Sequence, residues 1–251
     1  MSKPRTVLVP GKIILSGEYA VVFGFPGIAM PSKESLQVTF EEGPVQTIEW
    51  RDEWKSYAEK VIGKIGKGGA WTITGDLPIG KGMGASTALV IGCVKAAGGD
   101  ERMALEIEDE VNPGHSGIDF AVIWGNAPIV FRKDEASKAA LLPDAIKDIE
   151  LIDTGRPEQA TPELVAWVKS RKDDPKIAAA LHMIGTCTDR ILSGEDIKTV
   201  IRDHHLAQVA LGVVPESVQK IIAEIERGGG AAKVIGAGSR TGGGGMVMAL
   251  K

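Results

Sequence analysis

The sequence predicts an α+β fold in mixed layers, rather than a doubly wound parallel sheet, and three observations carry that prediction. Strand-like and helix-like patterns are interleaved along the chain, and hairpin pairs accompany the crossovers. The 251 residues include 32 glycines, nearly twice the ~7% of an average chain, clustered between apolar segments with no repeat. Past a polar stretch at 133–147 the texture changes from strand-rich to helix-rich, which marks a soft domain boundary. With 43% apolar and 25% charged residues, disordered, collagen-like and coiled-coil architectures are excluded.

The elements follow in order. Residues 6–9 and 12–16 are β-rich runs, and 36–40 and 46–50 alternate with period two. Trp54, Tyr57, Ala58, Val61, Ile62 and Ile65 recur at helical spacing over 53–65. A strand at 71–74 runs into a glycine loop, and a strongly apolar helix at 85–97 follows, then a short charged helix at 101–110. Residues 120–124 and 128–131 read as a hairpin pair around Gly125 and Asn126. A strand at 149–153 precedes amphipathic helices at 161–170, 175–192, 194–211 and 215–227. Pro162 just after Thr161 suits the start of the first of these. Two strands, 231–235 and 246–250, close the chain on either side of a glycine-rich segment.

Several function classes drop out. A net charge of −4, from 29 basic and 33 acidic residues, offers no electrostatic footprint for nucleic acid. Cys93 and Cys187 form no CxxC pattern, so neither a disulfide framework nor a zinc site is expected, and a reducing compartment fits. The segment MSKPRTVLVPGK lacks an apolar core with a cleavage site, and no uncharged apolar run approaches ~18 residues. The expectation is a cytoplasmic protein without a membrane partner, monomeric or homodimeric, acting on a small molecule.

Four segments carry chemistry. In Pro78-Ile79-Gly80-Lys81-Gly82-Met83-Gly84-Ala85-Ser86-Thr87 a strand leads through three alternate glycines into a long helix. Such a backbone turns several N–H groups toward one anion, and the helix adds the positive end of its dipole. Ser86 lies in the first turn, within reach of a phosphate oxygen or a metal on it, and Lys81 adds a point charge. The spacing is neither that of a P-loop nor that of the dinucleotide fingerprint. Second, Glu108 and Asp119 flank a turn-rich segment that can double back, so that one carboxylate holds magnesium and the other orients a hydroxyl. Third, Lys12 sits in an apolar strand, as an edge residue or as a buried charge needing an anion, and Glu18 beside Tyr19 suits a polar substrate. Fourth, the run from Lys233 through Gly236, Ala237 and Gly238 to four more glycines suits a second backbone loop shaping the pocket. His182, His204 and His205 lie on predicted helices with no ligand-like partner and read as structural or surface residues.

Together these segments resemble the GHMP kinases. PGKIILSGEYAVVFGFPGIAM (10–30) is similar to the first motif of the mevalonate branch, PIGKGMGASTA (78–88) to the phosphate-binding motif, and KVIGAG…GGGG (233–245) to the third. HSGIDFAV (115–122) resembles the segment carrying that branch's catalytic aspartate. The resemblance implies a two-domain GHMP kinase fold: a ribosomal S5 domain 2-like N-terminal domain over 1–140 and a ferredoxin-like C-terminal domain over 141–251. It implies an ATP- and Mg²⁺-dependent kinase acting on the 5-hydroxyl of mevalonate, with mevalonate 5-phosphate, a sugar or homoserine as alternative acceptors. It further implies that the 78–87 loop wraps the ATP phosphates and that Ser86 and Glu108 hold Mg²⁺. Asp119 is then the base or orienter, Lys12 offsets charge at the γ-phosphoryl, and Glu18, Tyr19, Ser116, Gly236 and Ala237 meet the acceptor.

The chain departs from that pattern in places. It is short between the first and second motifs and again before Asp119, where the family frames the adenine and forms a lid. Tyr19 stands at the usual histidine position, Phe120 at that of an asparagine and Asn126 at that of a glycine. Residues 239–241 look like an insertion in the third motif, where Arg240 adds positive charge.

Overall fold

The two β-rich runs at the start form one strand, β1 (Arg5–Ser16), in a computed structural model that describes residues 3–251. Met1 and Ser2 lie outside the described residues. Strand β1 pairs with β2 (Gly27–Glu42) off the main path of the sheet, and Pro10, which has no N–H to give a ladder, lies within β1. The main path runs β3 (Thr47–Glu49), β4 (Gly69–Gly75), β2, β5 (Ile129–Phe131), β6 (Lys138–Ala139). At one end of β2, residues 36–42 pair antiparallel with β4; at the other, residues 27–29 pair with β5.

The chain divides into two compact units interleaved in sequence. The first comprises residues 3–12, Pro31–Ile79 and Gly84–Asn126; the second comprises Ile13–Met30, Gly80–Met83 and Ala127–Lys251. In the first unit α1 (Asp52–Ile65) and α3 (Glu101–Val111) are amphipathic, whereas α2 (Ala85–Ala97) is apolar almost all round. An all-round apolar helix needs cover on every side. Accordingly α2 packs against α1, α3 and α4 (Ile118–Gly125), with Ala88, Leu89, Val90 and Ile91 fully buried.

Helix α4 corrects the expectation of a strand at 120–124. A short apolar run carries no period of its own, and the ends decide its state. Gly117 at φ 91° opens the helix, and Asn126 closes it in the left-handed region while its N–H donates to the carbonyl of Val122.

In the second unit a three-stranded antiparallel sheet has the order β7 (Glu150–Asp153), β9 (Met246–Leu250), β8 (Ala231–Val234). Helices α7 (Ile197–Leu211) and α8 (Glu216–Arg227) pack on β8. One apolar cluster joins α5 (Thr161–Ser170), α6 (Pro175–Leu192) and α7 through Leu164, Val168, Ile177, Ile184 and Leu211, and it includes Tyr19. Helix α7 starts at Ile197, later than the expected 194, because the Asp196 carboxylate caps it by accepting from the Thr199 N–H at 2.9 Å. Among the described residues no helix is long and apolar enough to cross a membrane.

Candidate active site

The first unit gathers its candidate residues around the head of α2. Gly84 is the N-cap of that helix, at φ 75°. A side chain there would be strained by the backbone, and its Cβ would lie 3.0 Å from Lys12 Cγ and from Ile123 Cδ1. Glycine therefore lets the first-motif lysine and α4 close on the helix N-terminus. Ala85, Ser86 and Thr87 form the first turn, whose N–H groups have no partner within the helix. A helix end of this kind favours negative charge.

Lys12 is 3% exposed, and its ammonium lies 3.1 Å from Asp119 Oδ1. Of the two possibilities left by its place in an apolar strand, it is the buried charge with an anionic partner. Gly117 turns the chain into α4 so that Asp119 sits in the first helical turn, one third exposed, with half-buried Ser116 just before it. One face of the unit thus carries a helix N-terminus, a cation and a solvent-accessible carboxylate.

Glu108 belongs to the same unit and is 1% exposed. Its Oε1 accepts the Thr87 hydroxyl at 2.7 Å, while Oε2 is buried and has no hydrogen-bond partner among the described residues. Burial raises its pKa above the ordinary carboxylate value; Thr87, Asn112 and His115 oppose that rise, and the charge of Asp119 adds to it. Tyr57, whose hydroxyl donates to Asn112 Oδ1 at 3.1 Å, is itself pushed up by burial and then by Glu108. A buried carboxylate oxygen without a partner, beside a helix N-terminus that suits phosphates, fits a hard cation that takes one carboxylate, a hydroxyl and substrate oxygens. No group of three or more His, Cys, Asp or Glu able to hold a metal occurs among the described residues.

The second unit holds the rest. Gly80 and Gly82 have φ of 71° and 82°. At Gly82 an added Cβ would lie 2.6 Å from the Ile235 carbonyl oxygen, and one at Gly236 would lie 2.8 Å from Gly82 Cα, so two glycine backbones touch. Met83 is buried; Pro78, which belongs to the first unit, is half-buried. The Lys81 carbonyl accepts the Met246 N–H at 3.1 Å. Its ammonium pairs with Asp153, whose carboxyl is held below its usual range chiefly by that contact. Asp153 had no sequence signal of its own, being one of many surface carboxylates.

Glu18 and Tyr19 are buried, at 3% and 5% exposure. The Glu18 carboxylate pairs with Lys233 and lies 3.0 Å from His204 Nε2. Burial alone would raise its pKa, yet Lys233 and His204 outweigh that and bring it down to about 2. The Tyr19 hydroxyl donates to the Ala237 carbonyl at 2.5 Å, and burial followed by the charge of Glu18 pushes its pKa up. The sequence offers His204 no ligand-like partner, but the fold buries it fully against Glu18. The missed signal was Lys233, a lysine inside an apolar strand, the pattern that singled out Lys12.

No protein-family model matches the chain. A mevalonate kinase of Archaeoglobus fulgidus is 28% identical over 269 residues, covering 96% of this chain and 90% of that relative. The crystal structure of the Methanococcus jannaschii mevalonate kinase shares the fold, with a TM-score of 0.82 at 19% identity, covering 100% of this chain and 92% of that one. So does the L. major mevalonate kinase in complex with R-mevalonate, with a TM-score of 0.75 at 18% identity, covering 100% and 90%. Taken with the four ordered motifs and the arrangement around α2, these relationships support a GHMP kinase, similar to mevalonate kinases over nearly the whole chain.

Proposed function

We propose that this chain transfers the γ-phosphoryl group of ATP to the 5-hydroxyl of mevalonate, the activity named for its Archaeoglobus relative. The observation that carries the reading is the Lys12–Asp119 pair, 3.1 Å apart, beside Gly84 at the head of α2. Phosphoryl transfer asks little covalent work of a protein; it asks for alignment and for charge where charge develops. Backbone N–H groups of residues 80–86 hold the triphosphate, with the dipole of α2 behind them. Asp119 accepts the proton of the acceptor hydroxyl as the new O–P bond forms and the bond to the β-phosphate oxygen breaks, which leaves ADP. Lys12 orients that carboxylate and offsets negative charge on the transferring group. Ser86 and Glu108 would hold Mg²⁺, which when bound supplies neutralisation of the phosphate oxygens.

A coupled assay offering mevalonate and mevalonate 5-phosphate separately tests the reading. ADP release with mevalonate alone is the expected result, and release only with the 5-phosphate overturns it.

A further inference from the structure

The mechanism leaves a set of buried charged and polar groups in the second unit without a task. Lys233, fully buried in β8, donates to the carbonyls of Ile14 at 3.0 Å and Val234 at 3.1 Å and pairs with Glu18. His204 faces the same carboxylate from α7, and Gln208, one turn further on, donates to the Val234 carbonyl at 3.0 Å. The next residue after Glu18 is Tyr19, held at φ 64°, a conformation that non-glycine residues rarely adopt. That backbone directs its hydroxyl to the carbonyl of Ala237. Residue 236, between the two anchor points at Lys233 and Ala237, is the glycine whose backbone touches Gly82.

We infer that Glu18 and Tyr19 are positioning residues that clamp the third glycine segment, through Lys233 and the Ala237 carbonyl, against Gly82 of the phosphate-binding segment. The chemistry favours this over contact with an acceptor. A buried carboxylate already paired with an ammonium and faced by an imidazole has no free charge to offer a small alcohol. A phenol 5% exposed has spent its single proton on Ala237. Both commitments tie the first motif to the third, and the third motif meets the second where the Gly82 and Gly236 backbones touch and again where Gly245 approaches the Lys81 carbonyl. A loop that must present several amides to one anion loses affinity when it is loose, because its ordering then has to occur on binding. The clamp supplies that ordering in advance.

Tyr19→Phe removes one oxygen from this arrangement and is the test. Peptide-resolved amide exchange on the full chain without nucleotide should show Gly80–Met83 and residues 236–238 exchanging about two- to tenfold faster, the range expected for one hydrogen bond. ATP affinity, measured without acceptor, and KM for ATP should weaken by a similar factor, while KM for the acceptor holds. A raised acceptor KM with unchanged ATP affinity and unchanged exchange would mean that the phenol touches the acceptor, and the clamp would be refuted. No change in any of these readouts refutes it equally. Glu18→Gln, which keeps the shape but strips Lys233 of its counter-charge, should loosen the same two segments more strongly; if that variant does not fold, the subtler tyrosine change still decides. The kinetic arm rests on the kinase reading, but the exchange arm does not. Failure of the unsubstituted protein to phosphorylate any acceptor would sink the kinase reading and leave exchange to judge the clamp.

Discussion

Asp119 and Lys12 form an unequal pair, and the inequality has consequences. Lys12 is almost wholly buried and Asp119 is one third exposed, so the lysine depends on the aspartate more than the reverse. Asp119→Asn should lower kcat by about 10²- to 10⁴-fold, the usual loss for a general base, while ATP still binds. The same change leaves a buried ammonium without its anion and should lower the melting temperature. Steady-state kinetics beside nucleotide titration check the first part, and full turnover by the variant would remove Asp119 from the mechanism. Glu108 presents the opposite balance. Its ionised form is already penalised by burial, so Glu108→Gln relieves that cost while deleting the charge proposed to face Mg²⁺. The expected signature is a melting temperature unchanged or higher, together with a Mg²⁺ requirement raised roughly tenfold, the loss expected when a cation's ligand sphere is weakened. An unaltered Mg²⁺ titration would take Glu108 out of the metal site.

At the level of elements, two glycines with similar backbones make a controlled comparison. Gly84 (φ 75°) and Gly114 (φ 80°) both lie in the left-handed region, but among the described residues an added Cβ at 114 meets nothing within 4 Å, whereas at 84 it meets Lys12 and Ile123. Gly114→Ala should cost only the backbone strain, of order 1 kcal/mol, and spare turnover. Gly84→Ala should cost more in thermal stability and also displace Lys12, lowering kcat; equal effects from both changes would mean that the close approach at the head of α2 is not needed.

The contrast also shows what the sequence made legible. Helix α2 is readable to its ends at 85 and 97 because a thirteen-residue run, apolar or small at every position but Lys95, lies between two glycine junctions. Helix α4 was not, since eight residues without a period take their state from Gly117 and Asn126, and those ends were read as turns. Lys12 announced a need for an anion, though its partner lay far along the chain and only the resemblance named it. The burial of Glu18 and Tyr19 was invisible because it is made by α6 and α7, whose apolar faces say nothing about which earlier turn they will cover.

For the molecule as a whole, the buried carboxylates of the two units, Glu18 and Glu108, should respond to acid with opposite signs. In the second unit His205 is lowered from 6.5 to about 4, by burial first and then by His204 and Lys233, and His204 is lowered by burial and Lys233 despite Glu18. A histidine depressed in the fold stays neutral while the unfolded chain takes up a proton. Its contribution is therefore complete above pH 6.5 and lost as pH falls toward 4, up to about 3 kcal/mol for His205. Glu18, depressed from 4.5 to about 2, behaves likewise over the next interval, with its stabilisation lost as pH falls from 4.5 toward 2. Glu108 in the first unit is raised, so acid relieves rather than imposes a penalty there. Lowering the pH from 7 to 4 should thus unprotect the amides of α6, α7 and β8 before those of α2 and α3. Trp167 is the one tryptophan in the second unit, the other four lying in the first, so a Trp167→Phe variant isolates by difference the fluorescence change that belongs to it. If α2 and α3 lose protection first, the buried charges around Glu18 do not set the acid limit of this fold.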